Sequence, residues 1–134
     1  MNDLEKALYE KSVPWTEIEF RTKNFWVFKD AYPVTPGHLL FVPTHKTEEC
    51  VYACFEAAYK WGYNGIDNEY WDGFNIGQNC GIAAGQTVMY PHVHMIPRRT
   101  GDIDDPTGGI RSVIPARGNY KNKSVESISE SANW

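Results

Sequence analysis

Hydrophobic and polar residues alternate along the first third of the chain, which is the pattern of β-strands. From Thr16 to Arg21 every second residue is charged, so one face is expected to meet a core and the other to meet water. A polar turn at 22–24 separates this strand from a second one predicted at Phe25 to Lys29. The segment His38 to Val42 is almost entirely apolar, which predicts a third strand in the centre of a sheet.

Two other segments carry apolar residues at helical spacing. Asn2 can cap a short first helix and Thr47 a longer second one, because a side-chain oxygen at that position accepts a hydrogen bond from the first turn. Glycine and asparagine are typical of helix ends, so the longer helix is predicted to end at Gly62 and Asn64-Gly65. Its apolar positions are Cys50, Val51, Cys54, Phe55, Ala58 and Trp61.

Two more strands are predicted after the long helix, at Asp72 to Gln78 and at Thr87 to Ile96. Three strands, a helix and two strands in this order are typical of an α+β protein. We therefore expect a five-stranded antiparallel sheet with the main helix packed on one face. Residues 1–118 are expected to form this domain. The polar residues 119–134 are expected to be a tail, either disordered or laid on the surface of this or a second subunit.

Composition narrows the class of protein. The chain has 134 residues, the size of one domain, and a net charge of −4 with acidic and basic residues mixed, which argues against binding a nucleic-acid polymer. Its three cysteines, Cys50, Cys54 and Cys80, form no Cys-x-x-Cys pair and are interpreted as small apolar residues of a reducing compartment. The sequence shows no secretory signal and no apolar run long enough to cross a bilayer, so we expect a cytoplasmic protein without a membrane partner.

The segment GQTVMYPHVHMIPR, from Gly85 to Arg98, brings two histidines together. Side chains two residues apart in a strand share a face, so His92 and His94 are predicted to lie side by side, with Tyr90 on the same face. The opposite face is expected to join the core through Met89, Val93 and Met95.

A pair of imidazoles on a rigid element suits nucleophilic catalysis. A neutral imidazole can attack an electrophile when an acceptor holds the proton on its other nitrogen. The reaction also needs donors for the developing negative charge and an acid at the leaving group. His92 and His94 are candidates for nucleophile and acid. The backbone N–H groups of Gly85 to Thr87 and the side-chain amide of Gln86 are candidate donors.

Three segments in order resemble proteins of the histidine triad (HIT) family. They are KDAYPVTPGHLLFVPTHK (29–46), FNIGQNCGIAAGQTV (74–88) and HVHMIPRRTGD (92–102). The resemblance implies an α+β domain that pairs into a two-fold homodimer with a joint ten-stranded sheet. It also implies cleavage or transfer at the α-phosphorus of a nucleotide substrate, through a nucleotidyl-histidine intermediate.

The resemblance assigns roles to individual residues. His92 matches the nucleophilic middle histidine of the motif, and His94 matches the third histidine, which faces phosphate and leaving group. Asp30 matches the acid that binds ribose hydroxyls, and His38 matches a buried supporting histidine. The residues that match the phosphate-contacting segment are Asn79, Gly85, Gln86 and Thr87.

The chain departs from the family pattern at the first motif position, where Tyr90 stands in place of histidine and is followed by Pro91. Tyr90 keeps the main-chain carbonyl that fixes the nucleophile in the family, and its phenol can still donate one hydrogen bond. A phenol does not shuttle protons near neutral pH, so the rate and the pH profile are expected to differ. Pro91 removes one ladder donor, which predicts a bulge or an unpaired position there.

These observations favour a hydrolase or nucleotidyl transferase acting on dinucleoside polyphosphates or nucleoside phosphoramidates. The run Gly108 to Arg111, GGIR, is similar to the bacterial-type dinucleoside polyphosphate hydrolases of the family. No cofactor is expected to be required. A divalent cation, Mg or Mn, would come with the substrate, and the acidic run Asp102 to Asp105 is either its site or a solvated turn.

Two other functions stay open at the level of sequence. A low-activity dimer that binds nucleotide as a sensor or partner-binding protein would account for Tyr90. A zinc site would account for two histidines at i and i+2 on a strand, with His38 as the candidate third ligand.

Overall fold

The computed structural model describes residues 1–121, which divide into two compact units. The first unit spans Met1–Arg99, and the second begins at Thr100. The predicted tail 119–134 lies outside the described residues from 122 onward. No helix within residues 1–121 combines the length and apolar character that crossing a membrane requires.

Two helices of the first unit begin at their predicted caps. Helix α1 (Asp3–Tyr9) follows Asn2, whose side chain accepts from the Glu5 N–H at 2.8 Å, while the Glu5 carboxylate accepts from the Asn2 N–H at 2.9 Å. Helix α2 (Glu48–Asp67) follows Thr47, whose hydroxyl accepts from the Cys50 N–H at 3.3 Å. The two-way cap of α1 and the single cap of α2 provide acceptors for N–H groups that have no partner within the first turn of each helix.

Five strands of this unit form the expected antiparallel sheet. They are β1 (Ile18–Arg21), β2 (Phe25–Lys29), β3 (Leu39–Pro43), β4 (Gly73–Gly77) and β5 (Val93–Arg98). Their order across the sheet is β1-β2-β3-β5-β4, so the almost wholly buried β3 is central, as its apolar run predicts. The prediction of an α+β fold with the main helix on one face of the sheet is confirmed.

The two faces of the sheet bury different clusters. Leu39, Val93 and Met95 pack with α2 through Cys54 and Ala58. On the opposite face, α1 and the segment after it pack on a second cluster that contains Leu4, Trp15, Phe28, Leu40, Val42 and Tyr90. Because Leu40 pairs with His94, that histidine points to the face of the sheet that carries α1.

The predicted end of the long helix is wrong. Helix α2 continues through Gly62 and Gly65 to Asp67, and both glycines are buried. A Cβ on Gly62 would lie 2.5 Å from the Phe74 ring, and one on Gly65 would lie 1.9 Å from the Trp71 ring. The two glycines therefore let aromatic rings reach the helix backbone, and they do not end the helix.

The predicted start of the fifth strand is also wrong. The strand begins at Val93, six residues later than Thr87, and Tyr90 to His92 precede it as irregular chain. Pro91 has no N–H to give to a ladder, which explains the late start and agrees with the unpaired position expected there. Met89 is 57% exposed and does not join the core, whereas Val93 and Met95 are buried as predicted.

The described part of the second unit, residues 100–121, consists of turns and short 3₁₀ helices. Two 3₁₀ helices cover Gly109–Val113 and Pro115–Arg117, within and after the GGIR run. The Arg111 side chain donates to the carbonyls of Gly118, at 3.3 Å, and Arg117, at 3.2 Å. Asp105 accepts from the Thr107 N–H and from the Asn119 side chain, both at 3.0 Å, so its carboxylate stabilises this turn. Cation binding by Asp102 to Asp105 stays a prediction.

Candidate functional site

The topology brings Asp30, His38 and His94 to one end of three adjacent strands. Asp30 directly follows β2, and His38 directly precedes β3. His94 is the second residue of β5, which pairs with β3 through Leu40. Residues far apart in the sequence therefore meet because β3 lies between β2 and β5.

His38 and His94 form a direct hydrogen bond. The Nε2 atom of His38 lies 2.9 Å from Nδ1 of His94 and 3.5 Å from Oδ2 of Asp30. The other ring nitrogen of His38, Nδ1, accepts from the Val34 N–H at 3.1 Å. Since that nitrogen is an acceptor, the proton of neutral His38 is on Nε2, which donates to His94. Neutral His94 consequently carries its own proton on Nε2.

Both histidines of this bond are held neutral near pH 7. Burial lowers the pKa of His38, against an opposing effect of the Asp30 charge. Burial lowers the pKa of His94 to about 4, with smaller contributions from His92 and His38 in the same direction. His94 is therefore a neutral N–H donor at physiological pH, whose proton sits on the nitrogen that faces away from His38.

His92 is fixed in the complementary tautomer. Its Nδ1 atom lies 2.8 Å from the main-chain carbonyl oxygen of Tyr90. A carbonyl can only accept, so Nδ1 carries the proton and Nε2 keeps its lone pair. The His92 and His94 rings lie with their centroids 5.2 Å apart. A ring nitrogen with a free lone pair and a ring N–H group thus belong to neighbouring side chains, and the adjacency of the two histidines agrees with the prediction from the sequence.

The Tyr90 side chain does not take part in this proton chemistry. It is 7% exposed, and its hydroxyl donates to the Pro43 carbonyl at 2.6 Å. Burial, followed by the nearby Asp3 charge, raises the pKa of the phenol. Tyr90 therefore stays protonated and anchors the irregular chain to β3, while its carbonyl makes the contact with His92 that the sequence predicted.

The loop 79–89 uses most of its predicted phosphate donors internally. The Gln86 side chain accepts from the Gly81 N–H at 2.8 Å and donates to the carbonyls of Val88, at 3.1 Å, and Met89, at 3.2 Å. The N–H groups of Gly85 and Gln86 also donate within the loop, to Ile82 and Gly81. In this structure Gln86 is a brace of the loop and not the free donor expected from the sequence. A contact between Gln86 and a phosphate stays a prediction.

Asn79, Gly85 and Thr87 are exposed on the same loop. Gly85 ends the 3₁₀ turn Ile82–Ala84 in the left-handed region, with φ 88°, which favours glycine. Among residues 1–121 the Thr87 N–H has no hydrogen-bond partner, which leaves it available from the predicted donor set. These three positions keep their predicted substrate-binding roles as predictions.

Trp15 is a member of the site that the sequence reasoning did not find. Its ring lies 4.9 Å from the His92 ring between centroids, at an interplanar angle of 61°. It is 8% exposed and also contacts Phe28 and Tyr90. The high aromatic content of the chain was the one signal for such a residue, and it does not select this position.

Asp30 has open space beside it. Asp30 and His38 line a cavity of about 380 Å³ whose other walls include Leu39, Trp61 and Trp71. One oxygen of Asp30 accepts from the Tyr32 N–H at 2.8 Å, which orients the carboxylate. The carboxylate is thus held by the turn that follows β2 and not packed against protein on every side.

Asp30, His38 and His94 are also a candidate metal group, because their ligand atoms all lie within 4.8 Å of one another. Coordination through Nε2 of His38 would require that nitrogen to lose its proton. The proton has no place on Nδ1, which already accepts from the Val34 N–H. In this tautomer Asp30, His38 and His94 form a hydrogen-bonded relay. The zinc site considered from the sequence uses a different set, His92 and His94 with His38, and stays a prediction.

Comparison with known proteins identifies the family. The model of the HIT domain matches residues 15–101, which include Trp15, Asp30, His38, His92 and His94. In the solved structures, a zinc-bound histidine triad family protein from Mycobacterium smegmatis aligns with a TM-score of 0.62 and 29% identity, over 74% of this chain and 76% of that one.

Two characterised relatives carry nucleotide-related names. The asymmetrical bis(5'-nucleosyl)-tetraphosphatase of Schizosaccharomyces pombe is 27% identical over 75% of this chain and 59% of that protein. The AP-4-A phosphorylase of Mycobacterium tuberculosis is 32% identical over 71% of this chain and 53% of that protein. The chain thus spans somewhat more than half the length of these two relatives.

Proposed function

The chain belongs to the HIT family, and on that premise we propose that it is a nucleotide hydrolase or nucleotidyl transferase. Its substrates are dinucleoside polyphosphates or nucleoside phosphoramidates, and the reaction takes place at the α-phosphorus. One observation carries the proposal: the Tyr90 carbonyl holds the His92 proton on Nδ1, so Nε2 has a free lone pair beside the Nε2–H of His94. Relatives named for tetraphosphate and AP-4-A chemistry support it.

In the first step the Nε2 atom of His92 attacks the α-phosphorus and forms a P–N bond. The bond from phosphorus to the leaving oxygen, or to nitrogen in a phosphoramidate, breaks. The leaving group keeps the electron pair and accepts a hydrogen bond from the Nε2–H of neutral His94, which keeps its proton; a nitrogen leaving group takes its proton from the solvent. His38 keeps His94 in the required tautomer, because its own Nε2–H occupies the other ring nitrogen.

In the second step water attacks the same phosphorus and the P–N bond to His92 breaks. The water proton passes to the solvent, the electron pair of the P–N bond returns to Nε2 of His92, and the nucleoside monophosphate leaves. When another nucleophile replaces water, the same intermediate gives transfer in place of hydrolysis.

Substrate binding is assigned to the groups around the two histidines. Asp30 accepts from ribose hydroxyls, and the exposed Asn79, Gly85 and Thr87 meet phosphate oxygens. We propose that no resident cofactor is needed and that Mg or Mn enters, if at all, bound to the polyphosphate. We propose that the protein is located in the cytoplasm and that its substrates are nucleotides.

We propose a homodimer built on β4. Within the described residues β4 pairs only with β5, so its other edge is open to a second copy. Tyr59 and Tyr63 of α2 are exposed beside Phe74 of β4, which extends this edge with apolar surface. Joining two such edges around a two-fold axis gives a ten-stranded sheet. Sedimentation of the purified protein tests this; a monomer at micromolar concentration contradicts it.

The decisive experiment compares turnover of diadenosine polyphosphate with turnover of adenosine phosphoramidate, together with acid-free quenching and mass spectrometry. Wild type should carry a nucleotidyl modification on His92 during turnover. His92→Ala should lose both the adduct and the activity, while His45→Ala, at an exposed histidine before α2, should keep both. Absence of turnover on both substrates, or an active His92→Ala, defeats the proposal.

A second candidate function is favoured by Tyr90, whose hydroxyl donates to the Pro43 carbonyl and whose phenol stays protonated near neutral pH because burial raises its pKa. A dimer that binds nucleotide but turns it over slowly would act as a sensor or partner-binding protein. Calorimetry with AMP beside the turnover assay separates the two functions. Tight binding without turnover, together with a large gain in rate for Tyr90→His, would favour the second.

A further inference from the structure

We propose that Trp15 is a positioning residue for the nucleophile His92. This inference rests on the proposed function, because it concerns the same site. It goes beyond that function by assigning a role to a side chain that has no hydrogen-bonding part in the chemistry. The starting observation is the ring contact between Trp15 and His92, with centroids 4.9 Å apart.

One hydrogen bond does not fix the plane of an imidazole. The bond from Nδ1 to the Tyr90 carbonyl, 2.8 Å long, sets the direction in which that nitrogen points. Rotation about this direction would still swing Nε2 away from the substrate. The ring plane is fixed by its neighbours, which are Trp15, at an interplanar angle of 61°, and His94, at 62°.

The two neighbours are held with different rigidity. His94 lies in β5 and is bonded to His38. Trp15 is wedged into the cluster on the α1 face, where it packs against Phe28 at 5.8 Å and edge-on to Tyr90 at 6.3 Å between centroids. Since Phe28 is fully buried in β2, the indole is attached to the sheet itself. A wall fixed in this way transmits little motion to His92.

The position of His92 in the chain explains why it needs this wall. His92 precedes β5 and lies in the irregular segment around Pro91, so no strand ladder holds its backbone. His92, the proposed nucleophile, therefore lies on irregular backbone, whereas His94 lies in a strand. Contact with the indole supplies the rigidity that a strand ladder would otherwise give to this part of the chain.

The test uses Trp15→Leu, which fills the cluster without a planar ring, and Trp15→Phe, which restores a smaller ring. Trp26 offers a matched control, because it packs against the same cluster through Phe28 at 6.4 Å, and no ring contact joins it to His92 within the described residues. We expect Trp15→Leu to lower kcat about 10- to 100-fold with KM nearly unchanged. Trp15→Phe should lie between Trp15→Leu and wild type, and Trp26→Leu should keep the wild-type kcat.

A readout without substrate separates this inference from the proposed function. The ¹⁵N shifts of His92 should show one tautomer, protonated at Nδ1, in wild type and Trp26→Leu, and a tautomer mixture in Trp15→Leu. A single tautomer and a wild-type kcat in Trp15→Leu overturn the inference. If wild type turns over no nucleotide, the proposed function fails while the tautomer measurement still decides the role of Trp15. If Trp15→Leu does not fold, the comparison of Trp15→Phe with Trp26→Phe replaces it. Wild-type ¹⁵N shifts and a wild-type kcat in both of these variants would overturn the inference.

Discussion

His92 and His94, the two neighbouring histidines of the candidate site, are held in different ways. His94 is held by polar groups: it lies in a strand, and its ring is bonded to His38, which contacts Asp30 and the Val34 N–H. His92 lies on irregular chain and is held by one backbone carbonyl and by packing against Trp15 and the His94 ring. The hydrogen bonds around His94, which we call the polar side, set the positions of the protons. The ring contacts around His92, which we call the packed side, set the orientation of its ring. Substitutions on the two sides should therefore fail in different ways.

The largest expected effect is the loss of the nucleophile itself. His92→Gln keeps a side chain that can bond to the Tyr90 carbonyl but removes the attacking nitrogen. We expect kcat to fall by at least about 10³-fold, because the covalent route is closed. Steady-state kinetics measures this, with His45→Gln as the control. A fall of less than tenfold would place the nucleophile elsewhere.

The next largest effect is expected on the polar side, at His38. His38→Phe keeps the ring volume and removes the Nε2–H that sets the His94 tautomer. We expect kcat to fall about 10²-fold, since His94 could then carry its proton on the wrong nitrogen. Stability should also fall, by about 1–3 kcal/mol, because the Val34 N–H loses its acceptor. A variant with wild-type kcat would show that the relay is only structural.

Acid should weaken the polar side of the site. The folded-state pKa of His94, about 4, lies below its ordinary value of 6.5. Between these two values the unfolded chain binds the proton and the folded protein does not, so stability falls as the pH drops through this window. We expect a loss of about 2 kcal/mol from pH 7 to pH 4. Urea unfolding at several pH values measures it, and His94→Gln should flatten the curve; an equal slope in that variant contradicts the assignment.

The smallest effect is expected at Tyr90, on the packed side. Tyr90→Phe removes the hydroxyl that donates to Pro43 and leaves the carbonyl that holds His92. We expect the free energy of unfolding to fall by about 1 kcal/mol and kcat to change little. Paired unfolding and kinetic measurements check this. A large drop in kcat at unchanged stability would mean that the phenol takes part in the reaction after all.

The sequence predicted those parts of the fold that depend on local pattern. Alternation and caps located the three early strands and the starts of both helices, because those signals lie within a few residues of their effect. The end of α2 was missed because the partners of Gly62 and Gly65 are Phe74 and Trp71, which a local pattern cannot show. The start of β5 was missed although Pro91 gave a visible reason for it.

The candidate site was predictable in its chemistry and less so in its packing. His92 and His94 were visible as a pair, and the resemblance to the HIT family pointed to Asp30 and His38. Trp15 was not visible, because its contact with His92 joins the start of the chain to its later third. Gln86 was expected to be a free donor, both from its place before the histidines and from the resemblance, but the folded loop turns its amide inward. Side-chain direction in a loop depends on hydrogen bonds that spacing does not encode.

The hydrogen bond from the Val34 N–H to Nδ1 of His38 is made by the main chain and does not depend on the side chain at position 34. The amide of this exposed loop residue sets which nitrogen carries the proton in His38 and, through His38, in His94. Replacing Val34 by most other residues would keep this hydrogen bond, since every such residue carries the same amide. Proline has no amide N–H, so Val34→Pro would remove it. The positions of the protons on His38 and His94 therefore depend on a main-chain group, which most substitutions at residue 34 leave unchanged.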